Sequence, residues 1–182
     1  MQHVVLLPLT SAEAGTSRCG SPSGGAGALS RLYLDLAMGI LGAEGTLAAE
    51  LPAEFADAEW VGERFPGAPG VSGIDGGANC QLYAYAVLAH FGLTVPPVRS
   101  SELWTDPRLA TVRSDERPLD LVLYGPNADP YGAHVGVIVG DDAVLHLCAE
   151  LNRPAVWPER EFARRERYGC RIGVCRCVPA LA

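Results

Sequence analysis

The sequence has few basic residues, no internal repeat and no long uninterrupted apolar run, and each absence excludes a class of protein. Its 182 residues carry 14 Lys and Arg against 21 Asp and Glu, a net charge of −7. A chain this acidic lacks the positive surface of a nucleic-acid binder or of a protein held on anionic lipid. Because no period of about 20 to 50 residues recurs, a solenoid is also excluded.

Export and membrane insertion are not predicted either. No Lys or Arg precedes the first apolar run, which ends at Leu9, whereas a secretory signal begins with basic residues and has a longer apolar segment. The later apolar stretch, 32–51, is interrupted by Asp35, Glu44 and Glu50, so it does not predict a bilayer span. We therefore expect a cytoplasmic protein without a membrane partner.

The cysteines lack the spacings of redox and zinc motifs. There are six, and none forms a Cys-x-x-Cys pair. The run Cys170, Cys175, Cys177 is not typical of a zinc knuckle. Without an export signal, free thiols are the expectation. We predict no metal and no cofactor, and any one of the thiols is a candidate nucleophile.

The composition predicts one main domain with an N-terminal extension. Hydrophobic residues make up 48% of the chain, enough for a sizeable core. Residues 1–50 are predicted as a partly flexible extension, because 10–28 has a Ser/Gly linker composition and 29–51 has helices of small residues. Residues 51–182 are predicted as the catalytic domain. It begins with a helix over 52–65 and a Gly-rich loop over 66–78.

Helices are predicted before strands, which indicates an α+β fold with an antiparallel sheet. Apolar residues at helical spacing predict a helix over 79–91, capped by Asn79 and ended at Gly92. A helical turn is predicted over 100–104 and a short charged helix over 159–167. Strands are predicted at the following segments: 119–124, 134–139, 143–148 and 171–178.

Cys80 is the first candidate nucleophile because of its place in the predicted helix. It lies one residue after the N-cap, where the helix dipole and unpaired N–H groups stabilise a thiolate. The preceding Gly-rich loop would let a substrate backbone approach. A buried cysteine packed among apolar neighbours is the competing interpretation, and position alone does not decide between them.

Two histidines favour the catalytic interpretation, since a thiol nucleophile needs a base and the base needs an orienting group. With Gly140-Asp141-Asp142 as a three-residue hairpin loop, Val139 faces Ala143. His134 and His146 are then diagonal neighbours on one sheet face. A two-residue loop would send them to opposite faces. We also expect Asp142 in a left-handed conformation, and Gly136 to leave room for His146.

These stretches, NCQLYAYAVLAHFG, LDLVLYG and AHVGVIVGDDAVLHLC, resemble the NlpC-type papain-like cysteine peptidases and amidases over about 54–178. The resemblance implies a papain-like fold with the nucleophile at a helix N-terminus and a triad of Cys80, His134 and His146. It implies a cysteine hydrolase that cleaves an amide or peptide bond through an acyl-enzyme intermediate. The sequence has Asn-Cys-Gln-Leu where that family usually has Asp-Cys-Ser-Gly.

The resemblance leaves the substrate open. We expect a small amide or a peptide-like molecule, with peptidoglycan fragments as a further candidate. The Cys80 N–H is one expected oxyanion donor, and side chains that could bind oxyanion or substrate are Asn79, Gln81 and Trp104. Three alternatives remain: an acyltransferase or transamidase on a small molecule, a non-catalytic binding module, and a thiol-redox or metal-thiolate protein.

Overall fold

A computed structural model describes residues 46–177, and the elements predicted for 3–9 and 29–45 lie outside the described residues. The elements after a 3-10 turn at Leu47–Glu50 are α1 Ala53–Ala56, α2 Cys80–His90, α3 Ser100–Thr105, β1 Leu109–Val112, β2 Leu121–Gly125, β3 His134–Gly140, β4 Ala143–Cys148, β5 Arg153–Trp157, α4 Glu159–Ala163 and β6 Cys170–Cys177. The α+β prediction is confirmed.

The strands form one six-stranded antiparallel sheet in the order β1-β6-β2-β3-β4-β5. Its two faces are covered differently. The face that we name the helix face packs against α2 and carries the buried aliphatic residues Leu121, Leu123, Val135, Val137, Leu145 and Leu147. The opposite face, which we name the histidine face, carries Val122, Tyr124, Ile138, Val144, Cys148 and Trp157, covered by Phe162 and Tyr168.

Helix α2 begins and ends as the sequence predicts. The Leu82 N–H donates to the Asn79 side-chain oxygen at 2.8 Å, which satisfies one of the free donors of the first turn. Gly92 follows the helix at a φ of 78°, a conformation that glycine adopts without steric cost. Ala84, Val87 and Leu88 are fully buried against the sheet, so packing fixes the helix and its N-terminus on the helix face.

Two local predictions are corrected, and two strands were not predicted. The helix predicted over 52–65 stops at Ala56, because residues 59–61 pair with Ala78 instead of continuing helical bonds. The charged helix predicted over 159–167 ends at Ala163. The strand at β5 was not predicted, and Pro154 within it is tolerated because β5 lies at the sheet edge. The β1 edge strand was also not predicted.

The cysteines are partly as expected. The thiols of Cys80, Cys148, Cys175 and Cys177 are free, but Cys170 is disulfide-bonded, so the expectation of a free thiol is wrong there. Within residues 46–177, no group of three or more His, Cys, Asp and Glu side chains could hold a metal ion. No helix in the same range is long and apolar enough to cross a bilayer.

The boundary at residue 51 stays a prediction, since most of the extension lies outside the described residues. The described end of that extension already packs on the domain: Ala48 is buried in the core cluster with β3 residues.

An ion pair with a buried carboxylate joins β6 to the residue before β2. Asp120 is 2% exposed and accepts two hydrogen bonds from Arg176, both 2.7 Å long.

Candidate active site

Cys80 is the first residue of α2, as the sequence predicts. The residue is partly exposed, and the backbone groups of Val135, Gln81 and Cys80 itself act to lower the pKa of its thiol. Val135 follows His134 on β3. The N-terminus of α2 therefore meets the sheet at the first residues of β3, and the thiol lies beside the strand that carries the candidate base.

A short parallel bridge fixes the chain that enters α2. The Val61 N–H donates to the Ala78 carbonyl at 2.8 Å, and the Ala78 N–H donates to the Glu59 carbonyl at 3.0 Å. Gly77 makes this close approach practicable: its φ is 93°, and a Cβ there would lie 2.5 Å from Val61 Cγ2. The two residues before Asn79 are thus held by backbone bonds, which positions Cys80.

The β3–β4 hairpin reaches the predicted register by a different route. Gly140 pairs with Ala143, so the loop has two residues, and the predicted three-residue loop is wrong. A register shift between Ile138 and Gly140 supplies the missing residue, so Val137 pairs with Leu145. Continuing that register places Gly136 opposite His146. Asp142 has a φ of 49°, the left-handed conformation expected for it.

The two histidines meet directly on the histidine face. His134 Nε2 lies 2.8 Å from His146 Nδ1, and both rings are buried. Gly136 leaves the space between the strands, since a Cβ there would lie 2.6 Å from Val144 Cγ1 and 3.6 Å from His146 Cβ. The predicted diagonal contact is therefore present. Bonding through Nε2 leaves Nδ1 as the His134 nitrogen that could take a proton from a thiol.

Aromatic rings enclose the histidine pair. The Tyr168 ring lies 4.6 Å from the His134 ring, and the rings of Trp157 and Phe162 lie 4.3 Å and 4.8 Å from that of His146, measured between centroids. Among the described residues, His146 Nε2 has no hydrogen-bond partner. This apolar enclosure restricts the rotation of His146, so its Nδ1 stays directed at His134.

Burial sets the protonation of the site. Burial raises the pKa of the Cys80 thiol, although the backbone hydrogen bonds and the charge of Arg167 oppose the rise. Burial, with a smaller effect of Arg167, lowers the pKa of His134 to about 3. Burial and the neighbouring His134 and Arg165 hold the pKa of His146 well below its usual range. At neutral pH Cys80 is therefore a neutral thiol, and His134 and His146 are neutral imidazoles.

The three substrate-binding candidates have different surroundings. Asn79 caps α2 through its side-chain oxygen. The Gln81 amide donates to the Tyr85 hydroxyl and to the Val98 carbonyl, both at 2.8 Å, which uses both of its hydrogens inside the fold. The Trp104 ring covers Gly173 of β6 and packs against the core. Their roles toward a substrate stay predictions, and for Gln81 the role would require the amide to leave both partners.

Arg167 and Tyr168 are site residues that the sequence did not predict. The charge pattern predicts Arg167 on a solvated helix face within 159–167, and it makes no prediction for Tyr168. Because α4 ends early, residues 164–169 turn back toward β3 and bring Tyr168 against His134. The only signal in the sequence was an aromatic residue after a run of arginines, which does not indicate a site by itself.

Comparison with known proteins assigns neither a family nor a function. No family model matches the chain, and no curated protein matches it. One solved structure that it resembles is an NlpC/P60 family protein from Bacillus cereus ATCC 10987, with a TM-score of 0.42 and 18% identity. The match covers 55% of this chain and 31% of that protein, so the chain spans less than a third of its length. A likeness of this size does not assign a function.

Proposed function

We propose that this chain is a cysteine amidase or peptidase of NlpC type, with Cys80 as nucleophile, His134 as general base and acid, and His146 as orienting residue. The observation that carries the proposal is the 2.8 Å contact between two buried histidines, His134 of which directly precedes the residue whose backbone acts on the helix-start thiol. A thiol, an imidazole base and a second group that orients the base are the elements that nucleophilic acyl transfer uses.

The tautomers follow from the geometry. His134 Nδ1 must be unprotonated to accept the thiol proton, so the proton of the neutral ring is on Nε2, which donates to His146 Nδ1. His146 then carries its own proton on Nε2, within the enclosure of Trp157 and Phe162.

The reaction begins with a neutral Cys80 thiol and a neutral His134 imidazole. As the Cys80 sulfur bonds to the substrate carbonyl carbon, its proton passes to His134 Nδ1 and the carbonyl π electrons move to oxygen. The Cys80 N–H at the helix start is the proposed donor to that oxyanion. Collapse breaks the C–N bond, and His134 gives its proton to the leaving amine. Water, deprotonated by His134, then cleaves the thioester, and the proton returns to the thiolate.

The proposed substrate is a small amide or peptide-like molecule, with soluble peptidoglycan fragments as a candidate. Cytoplasmic localisation stays a prediction. The disulfide at Cys170 is more typical of an oxidising compartment, so fractionation of cells producing the full chain is needed to decide.

The test uses the full chain with soluble γ-glutamyl and muropeptide fragments and with intact wall sacculi. We expect cleavage of the fragments, faster than that of sacculi, with a transient acyl adduct on Cys80 by intact-mass and peptide mapping. Cys80→Ala should abolish cleavage, whereas Cys177→Ala, which removes the other partly exposed free thiol, should not. Activity that survives Cys80→Ala would overturn the mechanism. An adduct released only by an added amine would assign acyl transfer instead of hydrolysis.

A further inference from the structure

Arg167 differs from its neighbours in having no acidic partner. In the turn after α4, Arg164 pairs with Glu161 at 2.7 Å, and Arg165 pairs with Glu150 and Glu161 at 3.2 Å and 3.1 Å. Arg167 is exposed, and among residues 46–177 no carboxylate lies within ion-pair distance of it, including that of the adjacent Glu166. Its guanidinium is therefore available to a ligand.

The guanidinium also lies near the ring that packs on His134. It stands over the Tyr168 ring at 5.9 Å, and that ring lies 4.6 Å from the His134 ring. The first distance is at the outer limit of a cation–π contact, so the stacking does not occupy the N–H donors. The charge acts on both Cys80 and His134, which come from different elements. The guanidinium is exposed to solvent and is linked to His134 by the Tyr168 ring that lies between them.

We propose that Arg167 binds a carboxylate of the substrate, so that the preferred substrate carries a free carboxylate near the carbonyl that Cys80 attacks. This rests on the proposed function for the identity of the reaction. A guanidinium binds a carboxylate through two parallel N–H donors, which fixes the position of the ligand as well as its charge. In a chain of net charge −7, an unpaired cation at the site offsets the general repulsion of an anionic substrate.

Alkylation of Cys80 tests the charge without requiring catalysis. Iodoacetate carries a carboxylate and iodoacetamide does not, and both react with the same thiolate. The ratio of their rates at Cys80 is therefore insensitive to the pKa of the thiol. We expect Arg167→Gln to lower the iodoacetate/iodoacetamide ratio about threefold, the effect of one charge across partly solvated distances. The difference should shrink as salt is raised.

Two further variants sharpen the result. Arg167→Lys keeps the charge and should keep most of the iodoacetate preference. Arg164→Gln removes an exposed cation from the same turn that is already paired with Glu161, and should leave the ratio unchanged. A ratio unaffected by Arg167→Gln, in a protein with an unchanged circular dichroism spectrum, overturns the inference. An equal fall of the ratio in Arg164→Gln also overturns it, because the ratio would then report only the net charge of the turn.

Substrate kinetics separate this inference from the proposed function. Amide substrates are compared in pairs that differ only by a carboxylate or a carboxamide next to the scissile carbonyl. We expect kcat/KM to favour the carboxylate member in the wild type and the preference to fall severalfold in Arg167→Gln. A chain that cleaves both members equally contradicts the carboxylate site but keeps the hydrolase. A chain that cleaves neither, yet shows the Arg167-dependent alkylation ratio, contradicts the hydrolase but keeps the anion site.

Discussion

Leu145 and His146 are consecutive residues of β4, both fully buried, and they face opposite sides of the sheet. Leu145 packs among aliphatic side chains under α2 on the helix face. His146 contacts another histidine and three aromatic rings on the histidine face. One strand thus supplies a side chain that stabilises the fold and, at the next position, a polar ring whose burial is costly.

The two faces of the sheet have different roles. The helix face stabilises the fold, and the histidine face carries the proposed base and its orienting residue. On the helix face, burial of apolar side chains is favourable and needs no hydrogen-bond partners. On the histidine face, burial lowers the pKa of two imidazoles and leaves His146 Nε2 without a hydrogen-bond partner among the described residues. Buried titratable groups with strongly shifted pKa values are typical of functional sites, so substitutions on the two faces should have different effects.

Removal of the proposed base should give the largest effect. His134→Ala leaves no group to take the Cys80 proton or return it to the leaving amine, so we expect kcat/KM to fall by about 10³-fold or more. The melting temperature should change little in comparison. The matched control is His90→Ala, on the exposed end of α2, which should keep full activity. A His134→Ala protein with more than a tenth of the wild-type rate would contradict the assignment.

Acid should destabilise the histidine face. The folded pKa of His134 is about 3, against 6.5 for an ordinary imidazole, so between these values the unfolded chain binds more protons. Stability is full above about pH 6.5 and falls as pH falls toward 3. By pH 4 the loss from His134 alone should be about 3 kcal/mol. Urea unfolding at pH 7 and pH 4 measures it.

Two variants test this acid effect. His134→Gln should show a smaller difference between pH 7 and pH 4, because the titrating group is gone, whereas His90→Gln should show the wild-type difference. If His134→Gln keeps the whole pH dependence, the loss comes from other groups, His146 or carboxylates, and His134 is not its source.

The sequence predicted the parts of the site that depend on local signals. Asn79 and the apolar spacing after Cys80 placed the start of α2, and Gly140-Asp141-Asp142 placed the hairpin. The register of that hairpin was predicted correctly although its loop was not, because the bulge between Ile138 and Gly140 moves the register by the one residue that the shorter loop would lose. The triad as a catalytic unit stays a prediction.

The features that the sequence did not predict depend on contacts between distant segments. Residues 57–65 have a helical composition, yet their backbone bonds go to Ala78 and Asn79. Strand β5 contains Pro154 and shows no alternation, and it is a strand only because β4 offers it an edge. Arg167 and Tyr168 reach the site because α4 ends at Ala163. In each case the partner segment is remote in sequence, so the local sequence pattern does not predict the contact.

A cavity on the helix face should cost stability and leave the chemistry intact. Leu145→Ala removes a fully buried side chain from beneath α2, and we expect a loss of about 3 kcal/mol in the free energy of unfolding. In the folded fraction, kcat/KM should stay within about twofold of wild type, because His146 keeps its contacts on the other face. Chemical denaturation and kinetics at low temperature measure the two quantities. A large kinetic defect in stable Leu145→Ala protein would show that the faces are coupled.

Replacement of the orienting residue should have the smallest kinetic effect of the proposed triad. His146→Asn places an amide oxygen near the position of Nδ1, where it can accept from His134 Nε2–H, so we expect a loss of about 10- to 100-fold in kcat/KM. His146→Ala offers no acceptor and should lose more, while both variants lose less than His134→Ala. Equal losses for His146→Asn and His134→Ala would show that His146 does more than orient its neighbour, and the division of roles between the two rings would have to be redrawn.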